Sequence, residues 1–100
     1  MTLTEKSLSL QKMEHLRFLI DKEFKSTIIN GKKCYENNSG EFFIPRYVTD
    51  NKEIDCLYFE YADNLQDAEK DLFYDGEWIY IPDYPDVNTL YTEAVKQINS

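Results

Sequence analysis

Twelve carboxylates and one base, Lys70, lie between Glu53 and Glu93, with nine aromatic side chains threaded among them: Tyr58, Phe59, Tyr61, Phe73, Tyr74, Trp78, Tyr80, Tyr84 and Tyr91. Carboxylates can work as general acids and bases, as ligands for a divalent cation, or as a negative field that draws in a cationic partner. The first two uses need spacing as well as number. An acid–base pair of the glycosidase kind would have to be picked arbitrarily from so many. A calcium loop alternates ligands around a central glycine and closes on a glutamate, and the nearest stretch, Asp71 to Glu77, lacks that pattern. His15 is the only histidine and falls beside the apolar stripe of a helix, a position for a surface or half-buried residue. Cys34 and Cys56 form no Cys-x-x-Cys, and neither sits at a helix start. Only Lys32 and Lys33, near Cys34, offer the basic surroundings that lower a thiol pKa. Both cysteines read as small buried hydrophobes rather than a redox pair, and with one histidine they cannot make a zinc site. Three glycines, without Gly-x-Gly-x-x-Gly or Gly-Lys-Ser/Thr, leave no phosphate cradle. The inventory therefore predicts no catalytic residue, no cofactor and no bound metal.

The third use of the carboxylates remains. Residues 1–49 carry eight bases against six acids, a net of +2, whereas residues 50–100 carry thirteen acids against three bases, a net of −10. Eight acids cluster within 24 residues: Asp63, Asp67, Glu69, Asp71, Asp75, Glu77, Asp83 and Asp86. If they gather on one face, they suit a positively charged cleft, and Trp78, Tyr80 and Tyr84 are the aromatic anchors such an interface favours. On a strand, one of Trp78/Ile79 and one of Tyr80/Ile81 must face the core. Tyr84, between Pro82 and Pro85, is expected to be the most exposed. The competing reading is a solvated acidic rim that keeps the protein soluble. An overall charge of −8 has the wrong sign for direct contact with nucleic acid or an anionic membrane.

The elements that position these residues follow from periodicity. Met13, Leu16, Ile20 and Phe24, with Leu19 alongside, predict a helix within the first 26 residues, N-capped at Thr2 (with Glu5 completing a capping box) or at Thr4. From Thr27 the period is that of strands. Lys32 to Glu36, the polar turn Asn37-Asn38-Ser39-Gly40 and Glu41 to Val48 predict a hairpin, with Pro45 marking an edge or a strand end. Thr49-Asp50-Asn51-Lys52 is turn chemistry. Ile54 to Tyr61 predicts a central strand, and Asp63 the N-cap of a short helix bearing Leu65, Ala68 and Leu72. Asp75-Gly76 predicts the tip of a hairpin over residues 72–81. Its return strand echoes an earlier one, Gly40-Glu-Phe-Phe-Ile-Pro against Gly76-Glu-Trp-Ile-Tyr-Ile-Pro. Val87, Leu90, Tyr91, Ala94, Val95 and Ile98 define an amphipathic final helix capped by Asp86. The prediction is a single α+β domain over residues 1–100, α-β-β-β-(α)-β-β-α, with an antiparallel sheet of four to five strands. No run of roughly 20 apolar residues could span a bilayer, and the N-terminus lacks the pattern of a signal peptide. The expected setting is soluble and cytoplasmic.

In size, charge and the acidic–aromatic texture of residues 53–93, the chain resembles the small acidic proteins that phages use against bacterial defence, the anti-CRISPR and anti-restriction class. Immunity proteins that neutralise nuclease toxins are similar. The resemblance rests on texture and transfers no individual residue role. It implies a non-catalytic inhibitor that occupies the nucleic-acid groove of a nuclease such as a Cas effector. Its contacts would be Asp63, Asp67, Glu69, Asp71, Asp75, Glu77, Trp78, Tyr80, Asp83, Tyr84 and Asp86. The alternatives are an immunity protein acting in the same way, or a dimerising subunit of an assembly that pairs through its last helix or an edge strand.

Overall fold

Met13, Leu16 and Ile20 form one buried stripe on a long helix, and the buried Phe24, just past its end, continues it. In the computed structural model, which describes residues 3–50 and 53–99, that helix is α1 (Leu3–Glu23). It already includes Thr4, so Thr4 is not its N-cap, and Thr2 lies outside the described residues. Four strands follow: β1 (Ser26–Ile29), β2 (Lys32–Glu36), β3 (Phe42–Asp50) and β4 (Glu53–Ala62). The expected turn residues Asn51 and Lys52 are outside the described residues. Then come α2 (Leu65–Glu69), β5 (Tyr74–Asp75), β6 (Ile79–Tyr80), a 3₁₀ turn at Ile81–Asp83 and α3 (Val87–Ile98). The α+β class and the framing by an N-terminal and a C-terminal helix are as predicted, with one strand more than expected.

The extra strand is β1. Asn30 and Gly31 join it to β2 with φ of 53° and 77°. Two successive left-handed residues match the twist of a two-residue hairpin, which is why Asn-Gly occupies them. Pro45 does not end a strand but lies inside β3, opposite Phe59 of β4. Its missing donor is tolerated because β2 pairs with β3 only at Phe42 and Phe43, leaving the other side of Pro45 without a strand. Asn64, not Asp63, caps α2, its side-chain oxygen accepting the Asp67 N–H at 2.8 Å.

The largest departure is at residues 72–81. β5 and β6 do not pair with each other; both run antiparallel to β4, Tyr74 facing Tyr61 and Ile79 facing Leu57. They form one interrupted edge strand in which Gly76, Glu77 and Trp78 oppose Tyr58 and Phe59, a bulge of one extra residue. The N–H of Gly76 donates to the Phe59 carbonyl at 2.7 Å. Asp75-Gly76 is therefore not a hairpin tip.

The sheet runs β1-β2-β3-β4, with β5 and β6 on the far edge. Its inner face meets α1 and α3 around Leu16, Ile20, Phe43, Leu57, Phe59, Leu90, Ala94 and Ile98, all 0% exposed. Phe43 is the pivot, edge-on to Phe24 at 5.3 Å and to Phe59 at 5.7 Å, and stacked on Tyr35 at 5.5 Å. Burying each such ring contributes roughly 1.5–3 kcal/mol. On the outer face α2 covers a smaller cluster of Ile29, Cys34, Phe42, Ile44, Ala62 and Ala68. Cys34 is buried and Cys56 half-buried, and the two are not joined in a disulfide. Asn37 is the one buried polar side chain among the described residues. It donates to the Ile98 carbonyl and accepts from the Ser39 and Glu41 N–H groups, tying the β2–β3 loop to the end of α3. Among the described residues no helix is long and apolar enough to cross a membrane.

Candidate protein-binding surface

Strand alternation decides which side chains reach the outer face. Leu57, Phe59 and Tyr61 point to the inner core, so Cys56, Tyr58 and Glu60 point outward, and their cross-strand neighbours point with them. Three rows result: Ile44, Glu60 and Asp75; Arg46 and Tyr58; Val48, Cys56 and Tyr80. The bulge at 76–78 reverses the alternation of the edge strand, because a one-residue slip sends every later side chain to the other face. Ile79 thereby turns inward (2% exposed) and Trp78 and Tyr80 turn outward, 58% and 48% exposed. Trp78 lies flat on Tyr58, ring centroids 5.3 Å apart and planes 6° from parallel. Since α2 covers only the half of this face near β1 and β2, the half carrying these rings is open.

The acids do not gather on a single face. Asp67, Glu69 and Asp71 belong to α2 and its end, on the outer side, and Asp75 faces Glu60 there. Asp71, at φ 60°, is paired with Lys32 at 2.7 Å, and Arg46 with Glu60 at 2.7 Å. The Glu60 hydrogen bond holds the Arg46 guanidinium above its ordinary pKa, with Asp71 adding a smaller contribution. Asp67, Glu69 and Asp75 make no ion pair among the described residues. A second group lines an open groove of about 420 Å³ between α3 and the edge strand, where Glu77 joins Glu41 and Glu93 over Tyr61 and Tyr74. Asp63 borders it, accepting from the Tyr74 hydroxyl at 3.2 Å. Burial first, and the Glu41 charge second, push the Tyr61 phenol up to about 12. A third group stands at the start of α3, where Asp83 lies in the 3₁₀ turn and Asp86 caps the helix.

The condition that the acids gather on one face is thus not met: the Asp75-Gly76 segment runs as an edge strand and not as a hairpin tip, and α2 and α3 lie on opposite faces of the sheet. Tyr84 is corrected too. It is half-buried against the inner core, and its carbonyl accepts from the Lys12 ammonium at 2.8 Å. Of the eleven predicted contacts, the outer side collects Asp67, Glu69, Asp71, Asp75, Trp78 and Tyr80. Asp63 and Glu77 border the groove, and Asp83, Tyr84 and Asp86 fall at the start of α3. Tyr58, the ring beneath Trp78, is the residue of this surface that sequence reasoning missed. Its signal was register: Tyr58 is out of phase with Leu57 and Phe59.

His15 is exposed, its ring 6.4 Å from Phe18. No protein-family model matches the chain, nor does any curated protein or solved structure.

Proposed function

We propose that this protein is a non-catalytic inhibitor that docks on a basic partner through the open half of its outer sheet face. The partner we infer is a nucleic-acid-handling protein such as a nuclease, whose positively charged groove the carboxylates would occupy. One observation carries the reading: the exposed Trp78 and Tyr80 share a face with Asp67, Glu69 and Asp75, which make no ion pair among the described residues. Exposed large aromatics beside unneutralised charge suit an interface with a hot-spot centre and a steering rim. The acids at the groove and at the start of α3 do not join that surface, so any imitation of a phosphate backbone is confined to the outer face. An immunity protein for a nuclease toxin would use the same surface in the same way.

The test is capture on the immobilised chain, with displacement by duplex DNA. A groove-occupying inhibitor is displaced by DNA, and its retention falls steeply by roughly 1 M salt, where the Debye length is about 3 Å. Purified partner should bind Asp75→Lys/Glu69→Lys with an on-rate reduced about tenfold or more. Retention that ignores both DNA and salt would instead indicate apolar assembly and remove the proposal.

A further inference from the structure

We infer that Trp78 is an arginine-stacking subsite, the point at which the partner's guanidinium is received. The inference rests on the docking reading above and adds the chemistry of the group that docks.

Three aromatic rings of this chain already carry cations: Arg17 over Tyr47 at 5.1 Å, Lys32 over Phe73 at 5.8 Å and Lys33 over Tyr35 at 5.5 Å. Indole is the strongest cation acceptor of the aromatic side chains, yet among the described residues no cation lies over Trp78. Nor is it packed away. One of its π faces rests on Tyr58, and the residue is 58% exposed, which leaves the opposite face open to a ligand. The Tyr58 stack also fixes the indole plane in advance, so binding freezes little further motion. Arg46, the cation nearest in register, is engaged by Glu60 and does not compete.

The choice of guanidinium follows from shape and charge. It is planar and weakly hydrated, stacks on an aromatic face, and keeps its N–H fork free for a carboxylate at the ring edge. Asp75, three residues before Trp78 on the same edge strand, lies on this face and makes no ion pair among the described residues. An ammonium lacks the stacking plane. A nucleobase could stack equally well, but its phosphates would meet a protein of net charge −8.

Trp78 is the only tryptophan, so its emission reports on this position alone. The full chain would be titrated at low salt with a labelled arginine hexapeptide, the matching lysine hexapeptide and oligothymidine, with peptide anisotropy as a second readout. The arginine peptide should change Trp78 emission saturably and bind more tightly than the lysine peptide. Trp78→Ala should weaken it about twofold to fivefold and abolish the preference, whereas Trp78→Phe, which keeps a ring in place, should retain part of it. Circular dichroism checks that each variant is folded, and the Phe variant serves if the Ala variant is not. Arginine peptide binding that leaves Trp78 emission unchanged, with equal affinity in both variants, overturns the subsite while leaving charge-driven docking intact. Failure of both peptides to bind overturns the docking reading and the subsite with it. Saturable quenching by oligothymidine that is lost in Trp78→Ala also overturns it, in favour of a nucleobase platform.

Discussion

Gly76→Ala probes the device that turns Trp78 outward. The residue is not in the left-handed region, so the effect of a side chain there is one of space. A Cβ at Gly76 would stand 2.6 Å from Tyr61 Cε2 and 3.1 Å from the Phe59 carbonyl oxygen. Carbon contacts are comfortable at about 3.5–4 Å, so the first approach is about 1 Å too close. The ring cannot simply swing aside. Tyr61 is 8% exposed, sits 5.8 Å from the Tyr74 ring, and its hydroxyl donates to the Gln97 carbonyl of α3 at 3.1 Å. Relief must come from the edge strand moving off β4 or from α3 loosening, and overpacking of this kind costs about 1–3 kcal/mol. In a domain of this size each kcal/mol lowers Tm by about 4–8 °C. Urea denaturation followed by circular dichroism measures the loss, and Trp78 emission should shift as the bulge is disturbed.

Asparagine makes the reasoning refutable. At a left-handed turn position it substitutes for glycine at small cost, whereas in a tight approach its bulk makes it at least as damaging as alanine. Gly76→Asn should therefore be no more stable than Gly76→Ala. In a Tyr61→Ala background the added cost of Gly76→Ala should largely vanish, a coupling of about 1 kcal/mol or more. A near-neutral Gly76→Asn beside a costly Gly76→Ala, or full additivity with Tyr61→Ala, would refute the steric account.

Asn30, at φ 53° and donating from Nδ2 to the Glu69 carbonyl at 2.6 Å, should lose about 1–2 kcal/mol on change to alanine and much less on change to glycine. Equal urea midpoints for the two variants would contradict the left-handed assignment. The Asp86 carboxyl is held below its ordinary value of 3.8, first by the Thr89 N–H and then by the Thr89 hydroxyl. A depressed folded-state pKa stabilises above the unfolded value and is lost as pH falls through the folded one. The Tm difference between wild type and Asp86→Asn should thus be full at neutral pH and shrink below about pH 4; a difference constant down to pH 2 would show that the charged form contributes nothing.

Most of the scaffold was legible because it depends on local pattern. The 3.6-residue stripes put Leu90, Ala94 and Ile98 inward on α3, and Asp86 announced its cap. Two Gly-containing dipeptides show where pattern fails. Asn30-Gly31 is a true hairpin turn, passed over by a reading that begins the first strand at Lys32. Asp75-Gly76 carries nearly the same signal but is an edge-strand bulge, because β4 presented a free edge and Tyr61 left room only for a hydrogen. Turn propensity is local, whereas strand pairing is decided by what lies alongside. The consequence spread to the surface. Alternation guaranteed that one member of each of Trp78/Ile79 and Tyr80/Ile81 faces inward, and the outcome follows that rule, with Ile79 and Ile81 buried. Tyr84 was misjudged because proline-flanked loops are usually exposed, whereas here the 3₁₀ turn folds it back against the inner core.

The placement of charge bears on whether the open aromatic face meets a second copy of this chain or something else. A sheet face showing Trp78, Tyr80 and a half-buried Tyr58 is the sort of surface that self-associates. Pairing it with its own copy would bring Asp67, Glu69 and Asp75 of each molecule toward the same acids of the other; of the nearby bases, Lys32 and Arg46 are already engaged within each chain, and only Lys70 at the end of α2 makes no ion pair among the described residues. Like charges brought together around a desolvated aromatic centre oppose association, and the opposition grows as water leaves. The same rings facing a basic surface gain both from burial and from the field. On the docking proposal, the aromatic patch and its acids are expected to favour a partner of opposite sign over the protein's own copy at ordinary salt.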